Sequence, residues 1–251
     1  MSGHSKWSTI KRKKAATDAA RGKVFTKYIK EITIAARAGG AEPGANPRLR
    51  TAIAAAKSVN MPASNIERAI KKGAGGADGA TYEEVTYEGY GPSGVAMLIE
   101  CATDNRNRAA GEIRHIFDKY GGHMAEAGSV SYLFRHAGLV VLEKSAIAED
   151  ALLEIALEAG AEDVRGEGAQ WEVLTPPPAL EPVREALAAR QVPIVSAEQT
   201  RLATLEVPLD EKDATAALRL VEMLEDNDDV QKVYANFVLP DDLLARLAHQ
   251  A

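Results

Sequence analysis

Residues 82–101 read Tyr-Glu-Glu-Val-Thr-Tyr-Glu-Gly-Tyr-Gly-Pro-Ser-Gly-Val-Ala-Met-Leu-Ile-Glu-Cys, and the period of this stretch decides what kind of protein the chain builds. From Tyr82 to Tyr90 the residues alternate as in a half-buried strand. Gly91-Pro92-Ser93-Gly94 then turns the chain, and Val95-Ala96-Met97-Leu98-Ile99 returns as an apolar run of strand length. Gly89, Gly91 and Gly94 also satisfy G-x-G-x-x-G letter for letter. A dinucleotide site needs a helix N-terminus after those glycines to receive the pyrophosphate, and here a strand follows. The motif is therefore read as a hairpin turn, and no cofactor is expected.

Downstream the order of elements is legible. A helix is expected over 105–120, then a strand near 129–134, which with the hairpin makes one half of a mixed sheet. Residues 138–143 open a new strand, followed by a helix around 149–159, strands near 163–166 and 170–174, a helix around 180–190 and a strand at 193–197: a complete βαββαβ unit. A strand over 201–208, an amphipathic helix over 213–225 and a strand over 230–239 make a second half. Each half alone would expose an apolar sheet face, so 77–135 and 201–251 are expected to close into one split ferredoxin-like domain, with 136–200 inserted as a second.

Upstream, residues 73–81 are Gly, Ala, Asp and Thr only, a hinge too small to pack a core. Before it, three helices are predicted within a domain spanning 1–76. The first runs from about Asp18 to Ala38, stopped by Gly39-Gly40, with Phe25, Ile29, Ile32 and Ala36 on its apolar stripe. The second has Asn46 as cap and Pro47 at the first helical position, burying Leu49, Ile53, Ala56 and Val59. The third starts at Pro62, presents Ile66 and Ile70, and stops at Gly73. The fold class is thus α+β: an N-terminal three-helix domain plus two ferredoxin-like βαββαβ domains, one inserted in the other.

Charge is divided along the chain. Residues 1–75 hold 16 Lys+Arg against 4 Asp+Glu, a balance of +12, while the rest carries −18 inside an overall −6. So dense a cationic block repels itself in a compact domain and reads as a surface made to meet polyphosphate. Its candidate nucleic-acid contacts are Lys6, Lys11, Arg12, Lys13, Lys14, Arg21, Lys23, Lys27, Lys30, Arg48, Arg50, Lys71 and Lys72. Lys23, Lys27, Lys30 and Arg37 share the polar face of the first helix, and Lys11-Arg12-Lys13-Lys14 reads as a flexible or partly helical arm. The acidic stretches 149–163 and 222–229 serve solubility, bind a basic protein, or keep the distal domains away from phosphate.

Other chemistry is weakly signalled. The single cysteine, Cys101, excludes an intramolecular disulfide framework. No segment approaches a membrane span, and the basic start lacks the apolar core of a secretory signal, so a cytoplasmic, non-membrane protein is expected. Glu112 and His115 lie three apart on one helix, a possible metal pair, but with no cysteine cluster nearby a metal site is not expected. Asp104-Asn105 reads as a helix cap. Arg106 and Arg108 reach phosphate, reach a partner's carboxylate, or are merely solvated. Trp171 fits a core position better than a base-stacking platform. No spacing assigns a nucleophile, a base and an orienter, so an enzyme is disfavoured.

Several ordered motifs carry a family resemblance: Gly3-His4-Ser5-Lys6-Trp7; Arg21-Gly22-Lys23-Val24-Phe25-Thr26-Lys27; Asn46-Pro47-Arg48-Leu49-Arg50; Asn60-Met61-Pro62 with Asn65-Ile66-Glu67-Arg68-Ala69-Ile70; Tyr87-Glu88-Gly89-Tyr90-Gly91-Pro92; and Thr103-Asp104-Asn105-Arg106-Asn107-Arg108. Together they resemble the YebC/PmpR family, which includes the mitochondrial translational activator of cytochrome c oxidase, over essentially the whole chain. The resemblance implies three domains, a helical one followed by two α+β domains. It also implies a non-enzymatic regulator of gene expression: a DNA-binding probable transcriptional regulator, or a ribosome-associated translation factor that contacts ribosomal RNA and relieves stalling at consecutive prolines. A protein–protein adaptor built on the two sheets is a third expectation.

Overall fold

The computed structural model describes residues 18–75, 81–240 and Leu243. These residues form two compact units. One takes the described residues through Tyr132 together with those from Leu205 onward, and the other is Leu133–Thr204.

The first unit begins with three helices, α1 (Asp18–Gly39), α2 (Pro47–Ser58) and α3 (Ala63–Gly73). Their apolar faces meet in a core of Ile32, Ala35, Ala36, Leu49, Ala56, Met61, Ile66 and Ala69, with Phe25, Ile29, Ile53 and Ile70 packed at its margin. Asn46 joins two of the helices. Its Oδ1 accepts from the Leu49 amide at 3.0 Å, capping α2, while its Nδ2 donates to the carbonyls of Ala35 and Gly40, both at 2.8 Å, at the open end of α1. At the end of α3, Gly73 lies so close to α1 that a Cβ there would collide with the Thr33 carbonyl and the Ala36 methyl. Only glycine allows that approach.

The rest of this unit is a four-stranded antiparallel sheet of β1 (Glu83–Tyr90), β2 (Ala96–Thr103), β3 (His123–Ala125) and β9 (Val230–Ala235), in the order β3-β1-β2-β9. The glycine motif is the hairpin connection between β1 and β2, where Ser93 and Gly94 both have positive φ. Helices α4 (Arg106–Lys119) and α7 (Glu211–Glu225) cover one face. Met97, Ile99 and Cys101 of β2 pack there against Ile113 and Phe117 of α4 and Leu220, Val221 and Leu224 of α7. A short parallel pair, β8 (Val207–Pro208) with β10 (Phe237–Val238), ties the chain beside α7.

The second unit is β4 (Phe134–Glu143), α5 (Glu149–Glu158), β5 (Asp163–Glu167), β6 (Gln170–Thr175), α6 (Leu180–Ala189) and β7 (Ser196–Ala203). Its antiparallel sheet has the order β5-β6-β4-β7, the ferredoxin-like arrangement of a βαββαβ unit. Val140, Leu142, Trp171 and Val173 face Leu152, Ile155, Val183 and Leu187 of the two helices.

Three stretches differ from expectation, the first being the strand expected over 230–239, which is two strands, β9 and β10, in separate sheets. The strand expected at 129–134 is instead β3, nearer the preceding helix, because the buried Glu88 carboxylate captures the amides of Gly128, Val130 and Ser131 at 2.8, 2.6 and 2.9 Å. Those amides are then lost to any ladder. The strand expected at 193–197 begins at Ser196 and runs on to Ala203 as β7, paired with β4 from Val141↔Ser196 to Phe134↔Ala203, so the strand expected at 201–208 is divided between β7 and β8. Since β4 starts at Phe134, its edge groups need partners that far, and Arg201 to Ala203 supply them.

Candidate nucleic-acid interface

Among the described residues, the cations of the basic block fall into two environments. Lys23, Lys27 and Lys30 recur along α1 at the spacing of one helix face. All three reach the C-terminal end of α7. Lys23 Nζ donates to the Asp226 carbonyl at 3.3 Å and lies 3.6 Å from its carboxylate, and Lys27 Nζ donates to the Glu225 carbonyl at 2.7 Å. Lys30 Nζ donates to the Asp228 and Ala102 carbonyls at 2.8 and 3.1 Å and pairs with Asp229 at 2.6 Å. A helix end exposes carbonyls without intrahelical donors and carries partial negative charge, and α7 has no basic residue in its own last turn. Lysines from α1 supply what α7 lacks.

Asp229 organises this junction. Its side chain is 6% exposed and accepts from Lys30, from Arg108 at 2.7 Å and from Thr103 at 2.9 Å. Burial alone would raise this carboxyl, but the bonds from Lys30, Arg108 and Thr103 hold it below the usual aspartate range. Around it, Arg108 also pairs with Asp104 at 2.8 Å, and Asn227 donates to Glu112 at 2.7 Å.

Other candidates are engaged with neighbours too. Arg48 forks onto Glu31 at 2.8 and 3.1 Å and onto Glu84 at 2.6 and 3.0 Å, tying the helices to β1, and the hydrogen bonds it donates to both carboxylates raise its basicity further. Lys72 donates to the Tyr82 hydroxyl at 3.2 Å and lies over its ring at 4.9 Å, with Lys30 over the same ring at 5.5 Å.

The second environment is open. Arg50 is exposed and donates to the carbonyls of Pro43 and Gly44, and Lys71 is exposed at the end of α3. With them stand Arg37, Lys57 and Arg68, exposed cations outside the thirteen candidates that the sequence singles out. Among the described residues, none of these five has a carboxylate within ion-pair distance. The seven-residue step from Arg50 to Lys57, two turns of α2, was available in the sequence as a signal. Lys6, Lys11, Arg12, Lys13 and Lys14 lie outside the described residues. Arg21 belongs to α1, and its side chain lies outside the description as well.

The weaker chemical candidates have structural partners. Glu112 is held by Asn227 and Arg108, and among the described residues no group of three or more His, Cys, Asp and Glu could hold a metal. Asn105 caps α4 by accepting from the Arg108 amide at 3.1 Å, and Arg106 lies 3.9 Å from Glu83. Trp171 sits in the core of the second unit with its indole N–H donating to the Ile147 carbonyl. Burial pushes the Cys101 thiol up to about 12, far from a reactive thiolate. Among the described residues, no helix is long and apolar enough to cross a membrane.

Comparison with known proteins separates the helical domain from the rest of the chain. Residues 5–76 match the family described as TACO1/YebC protein N-terminal domain, and residues 82–237 match TACO1/YebC second and third domain. A protein of Syntrophus aciditrophicus is 55% identical over 99% of this chain and 100% of its own length, and one of Syntrophobacter fumaroxidans is 57% identical over the same shares; both are named probable transcriptional regulatory protein. The crystal structure of a conserved hypothetical protein from Aquifex aeolicus, 48% identical, superposes with a TM-score of 0.82 over 89% of this chain and 93% of that one.

Proposed function

Because the chain belongs to the TACO1/YebC family, we propose that it is a DNA-binding transcriptional regulator that grips phosphate through its N-terminal helical domain and catalyses no reaction. The supporting observation is the set of open cations on that domain: Arg37, Arg50, Lys57, Arg68 and Lys71 carry positive charge with no carboxylate paired to it among the described residues. Lys6 and Lys11-Arg12-Lys13-Lys14 add to the same block in sequence. Unpaired cations in such number lower the free energy of a polyanion by releasing its condensed counterions, a sequence-independent gain. None of the three helices carries a marked base-reading signature, so phosphate contacts supply most of the affinity.

The test is the salt dependence of binding to a duplex. Each phosphate neutralised contributes about −0.9 to the slope of log affinity against log salt. Replacing Arg50, Lys57, Arg68 and Lys71 by Gln should flatten the slope by up to about four such steps, or 3.6. An unchanged slope removes these residues from the interface. Tighter binding to ribosomal RNA than to duplex DNA, with co-sedimentation on ribosomes, would move the assignment to translation.

A further inference from the structure

The junction between α1 and α7 carries more than a structural role. The apolar core of the helical domain and the core beneath the sheet share no residue. Named polar contacts across the boundary are Lys23, Lys27 and Lys30 on the α7 end, Arg48 on Glu84, and Lys72 on Tyr82. The covalent connection includes residues 73–81, all small except Asp78 and Thr81. Polar contacts of this kind are weakened by anions that compete for the same donors.

The acceptors facing the lysines are carbonyl and carboxylate oxygens at a negative helix end, the same hard anionic oxygens that a nucleic-acid backbone presents. Lys23 and Lys27 are one helical turn apart, about 6 Å along α1, and their amines already point at one acidic segment, Glu225 to Asp229. Lys23 is half exposed at its side chain, as is Asp226, so this end of the junction is open to solvent.

From this we infer that the Lys23–Lys27–Lys30 stripe is a latent phosphate-binding surface, masked by the acidic C-terminal turn of α7, which nucleic acid displaces. The turn acts as an intramolecular competitor. Phosphate arriving at the open cations of α2 and α3 is held near the stripe, and its high local concentration shifts the lysines from carbonyl to phosphate partners. The helical domain is then freed from the sheet. This inference rests on the nucleic-acid reading above and adds a regulatory step to it.

The experiment uses the full chain and a 20-base-pair duplex as probe. Hydrogen exchange with and without the duplex should show faster exchange at Asp226, Asn227, Asp229 and Val230, whose amides are protected by the α7 end and its turn. The double variant Lys23→Gln/Lys27→Gln should bind with a salt slope reduced by up to about 1.8, two phosphate contacts. Asp226→Asn/Asp228→Asn, which removes the Lys23–Asp226 pair and lowers the negative charge of the turn, should tighten binding about two- to fivefold, the weight of one surface charge pair. Glu149→Gln/Asp150→Asn, an equal charge change on α5, should leave affinity unchanged.

Unchanged exchange at 226–230 on binding, or a salt slope untouched by the lysine variant, overturns the masked surface while leaving the nucleic-acid reading intact. Equal tightening by the α5 control also overturns it, since overall charge would then be the cause. Failure of the wild-type chain to bind the duplex at all overturns both. The exchange measurement needs no substitution, so a variant that does not fold cannot decide the matter.

Discussion

Asp229 shows how one buried carboxylate can hold two parts of a molecule. Its oxygens accept from Lys30, Arg108 and Thr103, and its backbone carbonyl accepts from the Ala102 amide. Removing the charge leaves Lys30, 6% exposed, without its anion. Asp229→Asn should therefore destabilise the first unit by about 3 kcal/mol in denaturant unfolding. The acid limb follows from the same bonds. The folded carboxyls of Asp229 and Glu88 lie below their ordinary values, so the unfolded chain takes up protons first as pH falls. Their stabilisation is complete above roughly pH 5 and is lost as pH drops through the unfolded value near 4 and on toward the folded one. Stability measured from pH 6 down to pH 3 should fall less steeply in Asp229→Asn than in the wild type. An identical acid limb would mean that Asp229 contributes nothing to it. At this scale the sequence was informative about type and not about partner: Lys23, Lys27 and Lys30 were visible as one stripe, and the acidic run 222–229 was visible as a run, but nothing in either spelled their contact. The two are about 200 residues apart in the chain.

Elements are where local signals spoke most directly. Asn46-Pro47 announces the start of α2, and the asparagine does cap it. Its second task, tying the amide to the Ala35 and Gly40 carbonyls, is tertiary. Asn46→Ala should thus cost more than an ordinary cap, about 2 kcal/mol, and Asn46→Asp should recover the cap but not the donated bonds. Thermal unfolding of the two variants separates these contributions; full recovery of stability in Asn46→Asp would show that the α1 carbonyls do not depend on Asn46. The end of α3 makes the complementary case. Gly73 reads as a stop signal in sequence, but in the structure it is also the contact point with α1, so Gly73→Ala should destabilise despite alanine's better helix propensity. Strand limits were less legible. Glu88 draws three amides out of the segment expected to be a strand, and β7 extends because β4 offers it partners. Both effects come from groups distant in sequence.

For the whole molecule, the topology brings the two ends of the inserted unit together. The Leu133 carbonyl accepts from both the Thr204 amide at 2.8 Å and the Thr204 hydroxyl at 3.0 Å. A short Gly/Ser linker in place of 134–203 closes the same gap at little entropic cost. The shortened chain should retain slow amide exchange in β2 and β9, which pair within the first unit, and should keep its affinity for duplex DNA. Loss of protection in either strand would show that the first unit needs the second to fold.

The sequence by itself determined the class of structure, because helix caps, glycine stops and the switch from a period near 3.6 to a period of 2 act over a few residues. It also determined that positive charge is concentrated before residue 76, since composition does not depend on folding. Only the tertiary structure decided which of those charges remain open. Arg37, Arg50, Lys57, Arg68 and Lys71 face outward, while Lys23, Lys27 and Lys30 serve the end of α7. The reason is physical: a helix terminus with no donors of its own takes them from whatever packs beside it, and what packs beside it is a property of the fold, not of any local run of residues.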